Sequence, residues 1–239
     1  WLIVGIYFKL AIPPFHQWMP DVYESMPFIS VGYITIYPKI AIFYIVYFLC
    51  GNNIGLYYEH CSIIILYFSI FMIYFGLFMS FYQVDIRRFY AYSVMSQYGF
   101  LIYPFFVGSY GGLMLGLFFV VLYSLVVLNL WIVMSQLCVL ERGKYNVFNM
   151  VFLWKCMRSY KHLRVFLLVA VFSWGGLPPF LGFYLKYYWL EYVVHCEDYI
   201  ILFLGIVAML LMALYYFRLA FMLMFSIKED GLYVVRSEN

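Results

Sequence analysis

The chain has 239 residues, of which 67% are hydrophobic and 10% charged, with a formal net charge of +3 and a mean hydropathy of +0.93. A soluble domain of this length has no interior able to hide several apolar runs of about 20 residues, so the composition excludes one and requires an integral membrane protein. Nothing in the balance of 14 basic and 11 acidic residues points to nucleic acid, and lipid is the surrounding partner.

Runs long enough to cross about 30 Å of hydrocarbon, bounded by polar or Pro/Gly clusters, predict an all-α polytopic bundle of about seven spans. The first runs from Trp1 to about Ile12 and stops at Pro13-Pro14, and the second runs from Pro27 to Cys50. The third covers about Cys61 to Tyr82, the fourth about Phe89 to Val107 and the fifth Gly112 to Val139. The sixth, from Arg164 to His195, is interrupted by Gly175-Gly176-Leu177-Pro178-Pro179, and the seventh runs from Tyr199 to Phe225. Barrel strands would be shorter and would alternate with polar residues, which these runs do not.

If the connections alternate sides, one side receives Arg87, Arg88, Arg142, Lys144, Lys155, Arg158, Lys161, Arg164 and the tail with Lys228 and Arg236. The other side receives Asn52, Asn53 and Glu59, then Gly108 to Gly111, then Glu197 and Asp198. An inner C-terminus follows from the excess of basic residues on cytoplasmic or matrix loops. Arg218 is late enough in the last span to snorkel inward, and Glu191 and His195 do the same near the outer end of the sixth. The segment 141–164 alternates basic residues with the apolar run Met150 to Trp154, which suits the inner membrane surface or a partner subunit.

Three lysines, Lys9, Lys39 and Lys186, stand inside apolar stretches. Each costs roughly 2.5 to 3.5 kcal/mol near the bilayer centre, so such a residue is expected to face a bundle interior or wet cavity and to act there. Lys39 follows Pro38, which frees a carbonyl one turn earlier and offers the ammonium a polar niche. Leu10-Ala11-Ile12-Pro13-Pro14-Phe15 and Gly175-Gly176-Leu177-Pro178-Pro179-Phe180 share a Pro-Pro-Phe core with a lysine close by. Such paired breaks suggest an internal repeat of the transporter kind, because broken backbone at membrane depth is tolerated where it is buried or lines a cavity.

The remaining chemistry-bearing residues are less specific. Cys50, Cys61, Cys138, Cys156 and Cys196 show neither a CxxC pair nor metal-ligand spacing and are expected to be free thiols, so no metal site is predicted. No phosphate loop or dinucleotide fingerprint occurs, so no cofactor is expected in this chain. The 27 tyrosines, 26 phenylalanines and 13 methionines are expected to pack or face lipid, with some tyrosine hydroxyls ordering water.

Phe8-Lys9 followed by Pro14-Phe15-His16, Trp18, Pro20-Asp21, Tyr23-Glu24 and Pro27 resembles the central signature of the antiporter-like subunits of proton-pumping NADH:ubiquinone oxidoreductase, respiratory complex I. Within that family the chain is most similar to subunit 2, through Lys39-Ile40-Ala41-Ile42-Phe43, Arg87-Arg88, Ala91-Tyr92-Ser93 with Ser96, and Gly176-Leu177-Pro178 with Gly182-Phe183 and Lys186. The match covers nearly the whole chain. It implies an antiporter-like inverted-repeat fold: 1–50 as the last two helices of one five-helix repeat, 51–226 as the second repeat, and 227–239 as a polar tail.

The resemblance also implies a role. Lys9, Lys39 and Lys186 would form a lateral hydrophilic axis for proton relay, with Lys39 central and Lys186 leading toward the outer side. His16 is a possible relay. Ser93, Ser96 and Gln97 are candidates to hold water, together with Ser124 and Asn129, across a fifth span without an ionisable side chain. NADH, FMN, iron–sulfur clusters and ubiquinone would belong to other subunits, and partners would be the other membrane-arm subunits. The relatives' preceding helices, one bearing a glutamate that pairs with the first lysine, are expected from a separate chain or an extension. Ser25 stands where relatives have glycine, and Gln97 where many have histidine. Heavy use of Phe, Tyr and Ile suggests a mitochondrial inner membrane with the C-terminus on the matrix side, with a bacterial membrane as the fallback. A multisubunit cation/proton antiporter subunit, and a structural subunit that does not pump, are the competing expectations.

Overall fold

The computed structural model describes residues 2–51, 57–107, 109–140, 150, 153 and 160–224, which contain nine α-helices and no strand. In chain order they are α1 (Leu2–Leu10), α2 (Trp18–Ser25), α3 (Phe28–Gly51), α4 (Tyr57–Tyr82), α5 (Ile86–Phe106), α6 (Tyr110–Leu140), α7 (Lys161–Gly175), α8 (Leu181–His195) and α9 (Tyr199–Met224). Three stretches are long and apolar enough to cross a membrane by length and composition: Phe28–Phe48, Tyr110–Leu140 and Tyr199–Met224. Leu66–Tyr82 is a shorter apolar run.

The bundle is built around α5. From Phe89 to Phe105 every residue of this helix except the half-buried Tyr92 is buried, although it carries Ser93, Ser96 and Gln97. A helix enclosed on all sides has no solvent face to give its polar residues, so they lie in the interior. Helix α4 approaches it closely through small residues. A methyl added at Gly76 would stand 2.7 Å from the Tyr92 carbonyl oxygen, and one at Gly99 would stand 2.9 Å from that of Ser69. Close backbone approach of this kind supplies the dispersion contacts that hold helices together in lipid.

Two departures from the sequence-based boundaries are local. Helix α1 ends at Leu10 instead of continuing to Ile12, and after Pro13-Pro14 the chain resumes as the short helix α2, which hydropathy alone does not announce. It is polar on one side, and that side is tied to α5. Arg88 donates to the Glu24 carboxylate at 2.5 Å and stands 3.6 Å from Asp21, while Arg87 donates to the Glu24 and Met26 carbonyls at 2.7 and 3.3 Å. The acidic and basic pairs of the sequence signature thus meet each other.

Leu153, in the apolar run expected at the membrane surface, is buried in the bundle, and the Met150 N–H donates to the Val84 carbonyl. The rest of that segment as far as residue 159, with Arg142, Lys144, Lys155, Arg158 and Cys156, lies outside the described residues, as do Asn52, Asn53, Gly108 and the tail with Lys228 and Arg236. The side chains of Cys50, Glu59 and Cys61 also lie outside them. Cys138 and Cys196 are free thiols.

Candidate functional site

The two Pro-Pro segments end helices in the same way. At the first, the Ile12 N–H donates to the Tyr7 carbonyl (3.0 Å), Ala11 N–H to Phe8 (3.1 Å) and Phe15 N–H to Ile12 (2.8 Å). At the second, the Leu177 N–H donates to Phe172 (3.2 Å), Gly176 N–H to Ser173 (3.2 Å) and Phe180 N–H to Leu177 (2.9 Å). The residue after each helix is left-handed, Ala11 with φ 58° and Gly176 with φ 74°, and both Pro-Pro bonds are cis. This six-to-one closure satisfies some of the carbonyls that a helix leaves open at its C-terminus. The others need donors from elsewhere, and the partial negative charge there favours a cation.

Lysines supply two of those donors. Lys39, 4% exposed on α3, donates from Nζ to the Lys9 carbonyl at 2.5 Å. Its ammonium stands 4.9 Å from the centre of the Tyr98 ring and 5.7 Å from that of Trp18, within cation–π range. The niche is therefore the end of α1, not the Ile34 carbonyl that Pro38 frees in its own helix; the next carbonyl, of Thr35, accepts from the Tyr98 hydroxyl at 2.8 Å. Lys186, 7% exposed on α8, donates to the Gly175 carbonyl at 2.7 Å across the second break. The Phe8 carbonyl accepts a second hydrogen bond from Trp18 Nε1 at 2.9 Å, and the Trp174 carbonyl is capped by Gln97 Nε2 at 3.4 Å.

Lys9 departs from the expected pattern. Its side chain is exposed on the described bundle, and only its carbonyl enters the site. Helix α1 turns its Leu10 side toward the interior, which points the preceding residue outward. His16 is half-buried against the Phe75 ring, with centroids 4.3 Å apart, and lies beside the Pro14 backbone. Ser93 and Ser96 are buried, and their hydroxyls donate within α5 to the carbonyls of Tyr90 and Ser93. Gln97 is buried and lies with Lys186, Tyr123, Ser173 and Trp174 around a cavity of about 10 Å³. Ser124 is half-buried, donates to Val121, and shares a second cavity of about 10 Å³ with Lys39. Asn129 is half-buried on α6.

Sequence reasoning expects some tyrosine hydroxyls to order water but singles out no particular tyrosine. Trp174 lies among Tyr90, Tyr123 and Tyr216, with ring centroids 5.4, 6.2 and 6.1 Å away. Among the described residues the hydroxyls of Tyr90 and Tyr123 and the Trp174 Nε1 are buried without a hydrogen-bond partner, and those of Tyr215 and Tyr216 face each other and the polar side chains of Ser80, Ser93, Ser96 and Gln97. A buried unsatisfied polar group costs about 1–3 kcal/mol, so their concentration in one place is a mark of internal water. Their spacing carries no signal apart from 26 phenylalanines of the same size. Among the described residues no group of three or more His, Cys, Asp or Glu could hold a metal ion.

Over 231 residues the chain is 29% identical to NADH-quinone oxidoreductase subunit N of Hydrogenovibrio crunogenus, covering 96% of this chain and 48% of the relative. It is similar to a chain of respiratory complex I from Thermus thermophilus, with a TM-score of 0.77 at 25% identity, covering 93% of this chain and 48% of the other. The fold also occurs in the membrane-bound sulfane sulfur reductase, an archaeal respiratory membrane complex, with a TM-score of 0.83 at 17% identity and coverage of 94% and 45%. The chain thus spans about half the length of the proteins it matches. The model of the NADH:quinone oxidoreductase/Mrp antiporter transmembrane family matches residues 1–212, and the chain belongs to that family.

Proposed function

We propose that this chain works in the membrane arm of respiratory complex I, as a subunit of proton-translocating NADH:ubiquinone reductase, and that Lys39 and Lys186 relay protons. The observation that carries the proposal is the pair of buried ammonium groups, each seated on an open carbonyl at a broken helix, in a member of this family. A cation in such a seat is held by partial charges, and a charge arriving nearby shifts its protonation; quinone reduction elsewhere in the complex would drive that shift. Lys9 would join the axis through its carbonyl, with His16 beside the first break. Ser93, Ser96 and Gln97 would line the interior between α4 and α9.

The matched hydrogen bonds at the two breaks support an inverted repeat, with 1–50 closing one half, 51–226 forming the other and 227–239 the tail. Seven spans, with the basic loop 141–164 and the C-terminus on the matrix side of a mitochondrial inner membrane, complete this topology. NADH, FMN, iron–sulfur clusters and ubiquinone belong to other subunits, and a separate chain or an extension supplies the helices preceding α1.

Lys39→Ala in assembled complex I tests the proposal. The expected result is normal assembly with a reduced proton-to-electron ratio, measured in sealed membranes oxidising NADH; full pumping would make the chain structural only. The family also embraces Mrp antiporters, which favours a cation/proton antiporter as the second reading. Native electrophoresis with an NADH dehydrogenase stain separates the two, because an antiporter subunit would run only in an NADH-inactive band.

A further inference from the structure

The cavities beside the two buried lysines are separate, and one residue lines both. Thr35, Lys39, Tyr98 and Ser124 are among those around the first, and Gln97, Ser173, Trp174 and Lys186 among those around the second; Tyr123, on α6, is common to both linings. Each has a volume of about 10 Å³, at the lower limit of what admits a single water. Tyr123 stands edge-on to Tyr98, with ring centroids 5.7 Å apart, and is stacked on Trp174 at 6.2 Å. Tyr98 lies under the Lys39 ammonium, and Trp174 precedes the glycine whose carbonyl holds Lys186. The Tyr123 side chain is 5% exposed, and its hydroxyl is unpartnered although it is enclosed among polar neighbours.

We infer that Tyr123 is the relay that joins Lys39 to Lys186, its hydroxyl bridging one water in each cavity. This deepens the proposed function and rests on it. The hydroxyl accepts a proton from the water on one side and releases its own hydrogen to the water on the other. One proton enters, one leaves, and rotation about the C–O bond restores the starting state with no charge left on the ring. Helix α6 carries no ionisable group at this depth other than a phenol, so the phenol is what crosses it.

Tyr123→Phe in the assembled complex is the test, because it keeps the ring against Tyr98 and Trp174 and removes only the oxygen. Two measurements are made beside Lys39→Ala and Lys186→Ala: the proton-to-electron ratio, and radiolytic hydroxyl-radical labelling of the wild-type complex read by mass spectrometry. The expected results are a ratio lowered as far as by Lys39→Ala, unchanged assembly, and oxidation of Tyr123 well above that of the buried Phe105. Wild-type pumping by Tyr123→Phe while the lysine variants lose it overturns this inference alone. Labelling of Tyr123 no greater than that of Phe105 overturns it too, because no water then reaches the hydroxyl. Unchanged pumping by the lysine variants themselves overturns the proposed function, and the relay with it.

Discussion

The two helix breaks share a motif, a hydrogen-bonding pattern and a buried lysine, yet they are assembled in opposite senses. At the first break the lysine of the motif points outward and lends only its carbonyl, and the cation arrives from α3, 30 residues later. At the second break the lysine belongs to the helix that resumes the chain and folds back 11 residues onto the carbonyl before it. The matching positions differ: where the second break has Lys186, the first has Asp21. Gly176 leaves room for the Lys186 stem, whose Cδ and Cε would lie 2.6 and 2.9 Å from an added methyl, whereas Ala11 occupies the matching place at the first break. What the breaks have in common is an open helix C-terminus, and any cation able to reach it satisfies the requirement.

The strongest way to break this comparison is to remove each cation. Lys39→Met and Lys186→Met keep the stem and delete the charge, and each is expected to abolish this chain's share of translocation, since positioned proton relays contribute about 10² to 10⁴ in rate. The proton-to-electron ratio in sealed membranes reads the loss. If one of the two pumps normally, the breaks are not functionally equivalent.

Gly182→Ala comes next. Its methyl would overlap the Ser173 carbonyl, and that backbone has no room to withdraw, so a cost of about 3 kcal/mol or more and a loss of assembled complex are expected on a native gel. The residue at the same offset from the first break is Gln17, whose side chain makes no capping hydrogen bond. Gln17→Ala is expected to stay within about 0.5 kcal/mol of wild type in thermal denaturation.

Smaller effects sharpen the contrast at the left-handed residues. Gly176→Ala incurs about 1–2 kcal/mol of left-handed strain and displaces Lys186, so it lowers both thermal stability and pumping. Ala11→Gly relieves the same strain but forfeits a buried methyl, and its net effect on stability is expected below about 1 kcal/mol with pumping intact.

The smallest effect is Arg88→Ala. Among the described residues the ion pairs lie only beside the first break, joining α2 to α5, with Arg88 41% exposed. Such a pair is worth about 0.2–1 kcal/mol and weakens with salt, so a melting shift that persists in high salt would show a role beyond the pair.

The amino-acid sequence alone determined the membrane class, the apolar helices, both Pro-Pro breaks and three candidate lysines, because hydropathy, chain length and proline act within a few residues of themselves. The left-handed turns at Ala11 and Gly176 and their hydrogen bonds three to five residues back belong to this local order. The carbonyl that each lysine meets does not. Lys9 and Lys186 look alike in the chain, but which of them is buried depends on how α1 and α8 are rotated against their neighbours, and that rotation is set by distant contacts such as Gly182 under Ser173. Tyr123 carries the same lesson. One tyrosine among 27, it separates two cavities only because α6 passes between α3 and α8, and no periodicity in the sequence records which helices a residue lies between.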